Sequence, residues 1–319
     1  MSPRHVGLLA ALAGIWGASY LLIKYALEGF SAPEIVFLRT ALACVVLVSV
    51  IRWQGAASWA ALRGTSRQYR KALLLGFTAV AAPFILITVG EKTVPSGLTA
   101  VLIAPASLFV AGFAPFLDRS EAIHRSQASG LFAGLAGVGL LVGVETVHSV
   151  SQFLGALGIL AASAFYALSS FVVKGPFKGV PSIVASAVSV GVGALMTLPF
   201  AIASPHHGGP GLRAILAIVG LGVVGTALAF VIFYRLIAEI GAGRASLVSY
   251  LAPGVALFYG AIFLDEPIGW AAIAGLILIL GGVFVAGRAP GPEKGVQSED
   301  AAMAPAAEIP VVAGDSDPI

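Results

Sequence analysis

The sequence predicts an all-α integral membrane protein with ten transmembrane helices in two inverted five-helix repeats. Three observations predict it. Of 319 residues, 58% are hydrophobic and only 10% are charged, where soluble domains carry about 25% charged residues. Nine charge-free runs meet or approach the roughly 20 residues that a spanning helix needs, and a tenth carries a single arginine. Finally, landmarks of the first half recur in the second.

The runs, in order, are residues 6–23, 35–51 (with Arg39 inside), 72–90, 93–117, 126–144, 149–173, 179–204, 214–234, 245–264 and 267–287. They are continuously apolar, not alternating, which selects helices over a barrel. The mean hydropathy of +0.98 agrees. The 39 glycines fit the same solvent. In water each costs a helix up to about 1 kcal/mol relative to alanine, whereas in lipid small residues let helices approach closely. The first run lacks a small-residue cleavage site before its charged flank and reads as a retained helix, not a signal peptide. Between the runs lie a turn at 29–33, a polar, basic connection at 52–71, a turn at 175–181 with Pro176 and Pro181, and the Ser-Pro-His-His-Gly-Gly-Pro-Gly loop at 204–211. Residues 288–319 change to proline, glycine and acidic residues and read as a disordered tail.

Lysine and arginine placement orients the chain. With the N-terminus in the cytoplasm, fourteen of the 18 cationic residues fall on the cytoplasmic side and three opposite: Lys24, Lys92 and Arg213. Both termini are therefore expected on the cytoplasmic side of a plasma membrane, with the lipid bilayer and a small-molecule substrate as partners. A net charge of +3 is too small to imply nucleic acid. Cys44 is the single cysteine, so no intrachain disulfide or cysteine metal cluster can form, and no asparagine offers a glycosylation site. No metal or other cofactor is expected.

The internal repeat organises the rest. Glu91 aligns with Glu239, Ala104-Pro105 with Ala252-Pro253, Gly112 with Gly260, and Pro33 with Pro181, all at a spacing of 148. Phe116-Leu117-Asp118 matches Phe263-Leu264-Asp265 at 147, and the stretch from Trp16 to Lys24 matches that from Tyr166 to Lys174 at 150. One module used twice explains this, with units at 1–147 and 148–287. Five spans per unit is an odd number, so the second unit enters the membrane in the opposite sense. Two such halves can exchange conformations at similar free energy, a plan shared by many secondary transporters.

These residues resemble the EamA-type transporters of the drug/metabolite transporter superfamily. The resemblance covers roughly residues 6–287. It is carried by Gly14-Ile-Trp16-Gly17-Ala-Ser19-Tyr20 with Lys24, by Phe37-Leu-Arg39, and by Phe233-Tyr234-Arg235 followed by Gly241-Ala-Gly-Arg244-Ala-Ser246-Leu. The helix from Leu251-Ala-Pro253 to Leu264-Asp265-Glu266-Pro267 also fits. In the first half the family's usual Gly-Glu at the end of span four stands as Leu117-Asp118, a departure from the pattern. The resemblance implies export or exchange of small metabolites, amino acids or amphiphilic compounds across a bacterial inner membrane. It also implies a central cavity lined by the first, third and fourth spans of each half.

The candidate substrate-binding residues are Trp16, Ser19, Tyr20, Arg39, Tyr166, Ser169, Ser170 and Tyr250. Trp16 and Tyr20 are four apart on one helix face, away from the interfacial belt where such residues usually sit. An aromatic with a polar tip suits an organic ligand in an apolar cavity; helix packing is the alternative. Arg39 is an intramembrane charge and by default a functional candidate; snorkelling outward or pairing with Glu34 or Glu28 is the alternative. Pro105 and Pro253 each remove a backbone hydrogen bond and are candidate hinges or helix breaks. Lys24 and Lys174 read as anchors, Asp265 and Glu266 as a solvated cap, and His206-His207 as a loop pair without metal-ligand spacing.

Gly220-Leu-Gly222-Val-Val-Gly225 matches a dinucleotide-binding pattern but sits in a spanning run with no strand before it, so it reads as packing surface. Every acidic residue near a span sits at its end, so no buried proton-carrying carboxylate is evident. The expected function is alternating-access transport of a small amino-acid-like, zwitterionic or amphiphilic metabolite. A channel, a non-transporting sensor and, more distantly, a lipid-modifying enzyme are the alternatives; the last lacks a His, Asp or Glu cluster at one interface.

Overall fold

Local chemistry sets the ends of the first helices. Ser2 caps α1 (Pro3–Leu27) by accepting from the His5 amide. Ser31 opens α2 (Ala32–Trp53) with a reciprocal capping box: the Ser31 amide donates to the Glu34 carboxylate at 2.8 Å, and the Glu34 amide returns to the Ser31 hydroxyl. The computed structural model describes residues 2–66, 69–117, 129–130, 132–134, 136–137, 139–140, 149–174, 177, 180–204, 208–240, 245 and 248–287. Every regular element among them is helical.

After α2 come α3 (Ala56–Ser66), α4 (Tyr69–Gly76), a π-helical segment (Phe77–Ala81) and α5 (Ala82–Gly90). Then follow α6 (Ser96–Ile103) and α7 (Ala106–Leu117). The second half has α8 (Val150–Lys174), α9 (Ser182–Ala203), α10 (Leu212–Gly222), a second π-helical segment (Val223–Leu228), α11 (Ala229–Ile240), α12 (Val248–Phe263) and α13 (Trp270–Gly287). Among the described residues six helical segments are long and apolar enough to cross a bilayer, and shorter apolar segments lie at Ser96–Val110, which includes the α6–α7 break, Leu251–Phe263 and Trp270–Gly282. The expected fifth run, 126–144, falls largely outside the described residues, as do His206, His207, Asp118 and the tail from 288.

The helix boundaries depart from the sequence reading in two places. The expected run 93–117 is two helices, because Pro105 has no amide proton to continue the ladder and its ring blocks the preceding turn. The connection at 52–71 contains α3, whose alanine-rich sequence favours helix. Trp59, Ala61 and Leu62 of α3 pack on the main core, and Trp59 takes the guanidinium groups of Arg52 and Arg63, each 5.6 Å from its ring. By contrast α12 runs through Pro253 without interruption. Pro253 is its sixth residue, so one missing bond near the start leaves the following turns intact.

The packing follows the repeat. The two π segments start 146 residues apart, and Thr78 and Thr226 within them are 148 apart. Equivalent helices α2 and α9 form the most extensive contact, and each half's first helix packs on the opposite half, α1 on α12 and α10, α8 on α5 and α7. In lipid this association relies on close packing, not on expulsion of water. Glycines supply it: a side chain at Gly76 would strike Val192, and one at Gly193 would strike Val80. The exposed surface carries large apolar side chains, among them Leu195, Phe200, Ile202 and Ile277. Such a surface would aggregate in water and is at home in a bilayer.

Candidate functional site

Arg39 is the eighth residue of α2, about 10 Å along the helix from its start. It is 4% exposed. Its Nε donates to the Thr226 hydroxyl at 3.1 Å, and its guanidinium lies 4.2 Å over the Phe84 ring. Thr226 is inside the second π segment and Phe84 closely follows the first. The guanidinium is thus held between the two places where the helices are wound wider, a distortion that recurs at functional sites. The snorkelling alternative does not describe it. Glu28 is bonded to Arg213, at 2.9 Å from Arg213 Nε, and the Glu34 carboxylate serves the α2 cap.

Tyr20 of α1 and Tyr166 of α8 stand with Arg39: each interacts electrostatically with the guanidinium, and they interact with one another. Both pack on the core formed by Ile23, Ile35, Ile87 and Ala162. The structure therefore brings three sequence-predicted candidates together from three helices. Trp16 belongs to a neighbouring aromatic group, with its ring 5.0 Å from that of Phe233. Phe233 is followed by Tyr234, 6.0 Å away and hydrogen-bonded to Ser189.

The serine candidates are bonded to their own helices: Ser19 donates to the Ile15 carbonyl at 3.0 Å, Ser169 to Tyr166 at 2.8 Å and Ser170 to Ala167 at 2.7 Å. Ser19 also faces Gly225, and Gly222 faces Leu42, so the glycines of the dinucleotide-like pattern are packing surface. The backbone of Tyr250 is in α12, and its side chain lies outside the described residues, as does that of Lys174. Pro105 marks the α6–α7 break and Pro253 is buried within α12.

Residues outside the predicted set complete the region. Glu91 is 0% exposed, and neither carboxylate oxygen has a hydrogen-bond partner. The Thr88 hydroxyl, one turn earlier, is likewise buried and unpartnered. Burial pushes the Glu91 carboxyl well above the ordinary carboxylate range; Lys24 opposes the shift, Glu266 adds to it and Arg39 opposes it. The expectation that no carboxylate is buried is thereby corrected: Glu91 ends its run in sequence, yet the turn it occupies is packed inside. Lys24 holds that turn. Its ammonium donates to the carbonyls of Glu91 at 2.6 Å and Val94 at 2.8 Å, a cation at a helix C-terminus.

Glu266 is not a solvated cap either. The left-handed Asp265 (φ 51°) turns the chain so that Glu266 reaches the start of α6. There its carboxylate accepts from the Ser96 amide at 2.8 Å, the Ser96 hydroxyl at 2.8 Å and the Gly97 amide at 3.1 Å. It caps, from the second half, a helix of the first. A small depression of about 60 Å³ beside it is lined by Pro95, Gln152, Leu257 and Ile268, and a second, apolar groove runs between α1 and α10. Neither contains Arg39, Tyr20 or Tyr166.

Known proteins resemble this chain along most of its length. The chain is 26% identical over 280 residues to an uncharacterized transporter of Archaeoglobus fulgidus, covering 88% of this chain and 97% of that protein. It is 27% identical over 262 residues to the uncharacterized inner membrane transporter YedA of Escherichia coli, covering 80% and 81%. A probable terminal-alkyne amino-acid exporter of Streptantibioticus cattleyicolor is 24% identical over 277 residues, covering 86% and 90%. A solved structure described as "Crystal structure of protein" superposes with a TM-score of 0.64 at 20% identity, over 90% of this chain and 97% of its own, which is a likeness of fold. These relatives are named as transporters, not enzymes, which sets the lipid-modifying alternative aside. The EamA-like transporter model matches residues 5–143 and again 153–288, so the two-repeat helical membrane protein described above belongs to the EamA-like transporter family.

Proposed function

We propose that the chain is a ten-helix secondary transporter, its five-helix halves inverted, moving a small zwitterionic or amphiphilic metabolite of the amino-acid kind across a bacterial plasma membrane. It works by alternating access, as an exporter or exchanger, with both termini in the cytoplasm. The observation that carries this reading is Arg39, a buried guanidinium held at the junction of the two halves with Tyr20 and Tyr166 beside it. A carboxylate-bearing substrate satisfies a buried guanidinium whose contacts among the described residues are the neutral Thr226 hydroxyl and the Phe84 ring. The aromatic surface of Trp16, Tyr20 and Tyr166 takes the apolar part. The named amino-acid exporter among the relatives supports the substrate class.

Counterflow in proteoliposomes tests it. Vesicles preloaded with unlabelled amino acids take up the labelled counterpart in a saturable way, and competition ranks the substrates. Conductance without countertransport marks a channel, and ligand binding without flux marks a sensor; either result overturns the reading.

A further inference from the structure

We propose that Glu91 is a proton-binding site through which this transporter couples substrate movement to the proton gradient. The proposal rests on the transporter reading above and adds a driving ion and its residue. Glu91 sits at the α5–α6 turn, 0% exposed, with both carboxylate oxygens and the neighbouring Thr88 hydroxyl lacking partners. An isolated ionised carboxylate in such a place is heavily penalised and must meet a cation or take up a proton. At 0% exposure the carboxyl is packed on all sides, which favours a cation that occupies no volume. A substrate ammonium or a metal ion with its shell of oxygens needs room; a proton does not.

The surrounding charges explain how protonation reaches the rest of the fold. From α1, Lys24 and Tyr20 face the carboxyl; from α2, Arg39; from the segment before α13, Glu266; Tyr166 of α8 reaches it through Arg39. Lys92, the next residue, is exposed. Lys24 is bonded to the backbone of the same turn, at the carbonyls of Glu91 and Val94, and not to the carboxylate. With Glu91 protonated, the ammonium stays on those carbonyls and α1 is pinned to the turn. When the carboxyl releases its proton to water, the resulting carboxylate competes for the same ammonium and the turn is loosened. The turn leads directly into α6, whose start is held across the halves by Glu266. Gain and loss of one proton at Glu91 therefore act on a contact that joins the two halves.

The full chain in proteoliposomes tests this in two assays. The first measures counterflow of a labelled amino acid and its accumulation under an imposed pH gradient at zero membrane potential. Wild type accumulates under the gradient. In Glu91→Gln the ratio of gradient-driven accumulation to counterflow falls at least about tenfold, within the range for coupled sites, and Glu91→Asp restores part of it. The second assay needs no substrate: infrared difference spectra of wild type minus Glu91→Gln show a protonated carboxylic C=O band at neutral pH. Undiminished pH-driven accumulation in Glu91→Gln overturns the proposal, as does a requirement for a sodium gradient instead. Absence of the C=O band overturns it whatever substrate was chosen. Counterflow in wild type without any pH-driven accumulation defeats the proton role and leaves the transporter reading standing. Failure of counterflow in wild type, with the band present, defeats the transporter reading and the coupling with it, and leaves Glu91 as a buried protonated carboxyl without a transport role.

Discussion

Glu91 and Glu239 stand 148 residues apart, at the same place in the two repeats, and the fold treats them in opposite ways. Glu91 is sealed inside with its oxygens unpartnered. Glu239 is at the surface, bonded to Arg235 at 2.6 Å and His5 at 3.1 Å, with Arg4 at 4.0 Å. Arg39 has a similar contrast, since the residue 148 positions on is Ala187, buried against α2. The backbone plan is shared down to the paired π segments and the threonines within them. The charges are not. Duplication supplied two scaffolds of nearly equal shape, and among the described residues the buried charges, Arg39 and Glu91, lie in the first, while the second contributes Thr226 to Arg39 and Glu266 to the α6 cap. The asymmetry gives each substitution below a counterpart that should behave differently.

The largest effect is expected at Arg39. Arg39→Ala removes the buried cation and leaves the Thr226 hydroxyl and the Phe84 face without it. Counterflow should fall by about tenfold to a hundredfold, the loss of one hydrogen-bonded charge contact worth about 1.5–3 kcal/mol. Arg39→Lys should not restore it, because an ammonium lacks the planar fork. The counterpart test places the cation in the other half, as Ala187→Arg in the Arg39→Ala background. No recovery is expected: Thr78 stands where Thr226 does, but the residue 148 positions on from Phe84 is Ile232, which offers no aromatic face. Recovery of counterflow would mean the halves are functionally equivalent and would undo the comparison.

Much of this was legible in the sequence, and the reasons differ by feature. The repeat showed through because its landmarks are prolines, glycines and end-of-helix charges, which backbone geometry constrains. Tyr20, Arg39 and Tyr166 were identifiable because a polar group in an apolar run is conspicuous wherever it points. Glu91 was not, since a residue at the end of a hydrophobic run reads as solvated, and only the Lys24 bonds show that its turn is tucked inward. Glu266 was missed for a related reason: its role depends on a helix 170 residues earlier, which local pattern cannot supply. Thr226 had a usable signal in the 148-residue spacing from Thr78, hidden because threonine in a membrane helix is unremarkable when bonded to its own backbone. The prolines carry equivalent positions but unequal consequences. Pro105 separates two helices and Pro253 does not.

A moderate effect is expected at Glu266. Glu266→Gln keeps an acceptor but removes the negative charge from the start of α6, a change worth about 0.5–2 kcal/mol for a helix cap. The melting temperature of the purified protein should fall accordingly. The same carboxylate joins the halves, so cysteine labelling beside Ser96 should quicken as the contact loosens. An unchanged melting temperature together with unchanged labelling would show that the contact between Glu266 and α6 adds nothing to holding the halves together.

The smallest effect is expected at Glu239, and its sign is opposite to that at Glu91. Hydrogen bonds from Arg235 and His5 hold the Glu239 carboxyl below the ordinary carboxylate range. Its contribution to stability is present above that range and is lost as pH falls through the lowered folded value. Glu239→Gln should therefore be slightly less stable than wild type at neutral pH, and the difference should close on acidification, as expected for an exposed ion pair screened by solvent. For Glu91 the folded value is raised by burial, so its contribution is complete at low pH and is lost as pH rises through that value. Glu91→Gln should gain on wild type with rising pH. Melting temperatures of both variants across pH decide the matter: two curves that diverge in opposite directions mean the repeat has placed one carboxylate for structure at the surface and one for titration inside. Two curves of the same slope would mean that burial at Glu91 does not govern its charge.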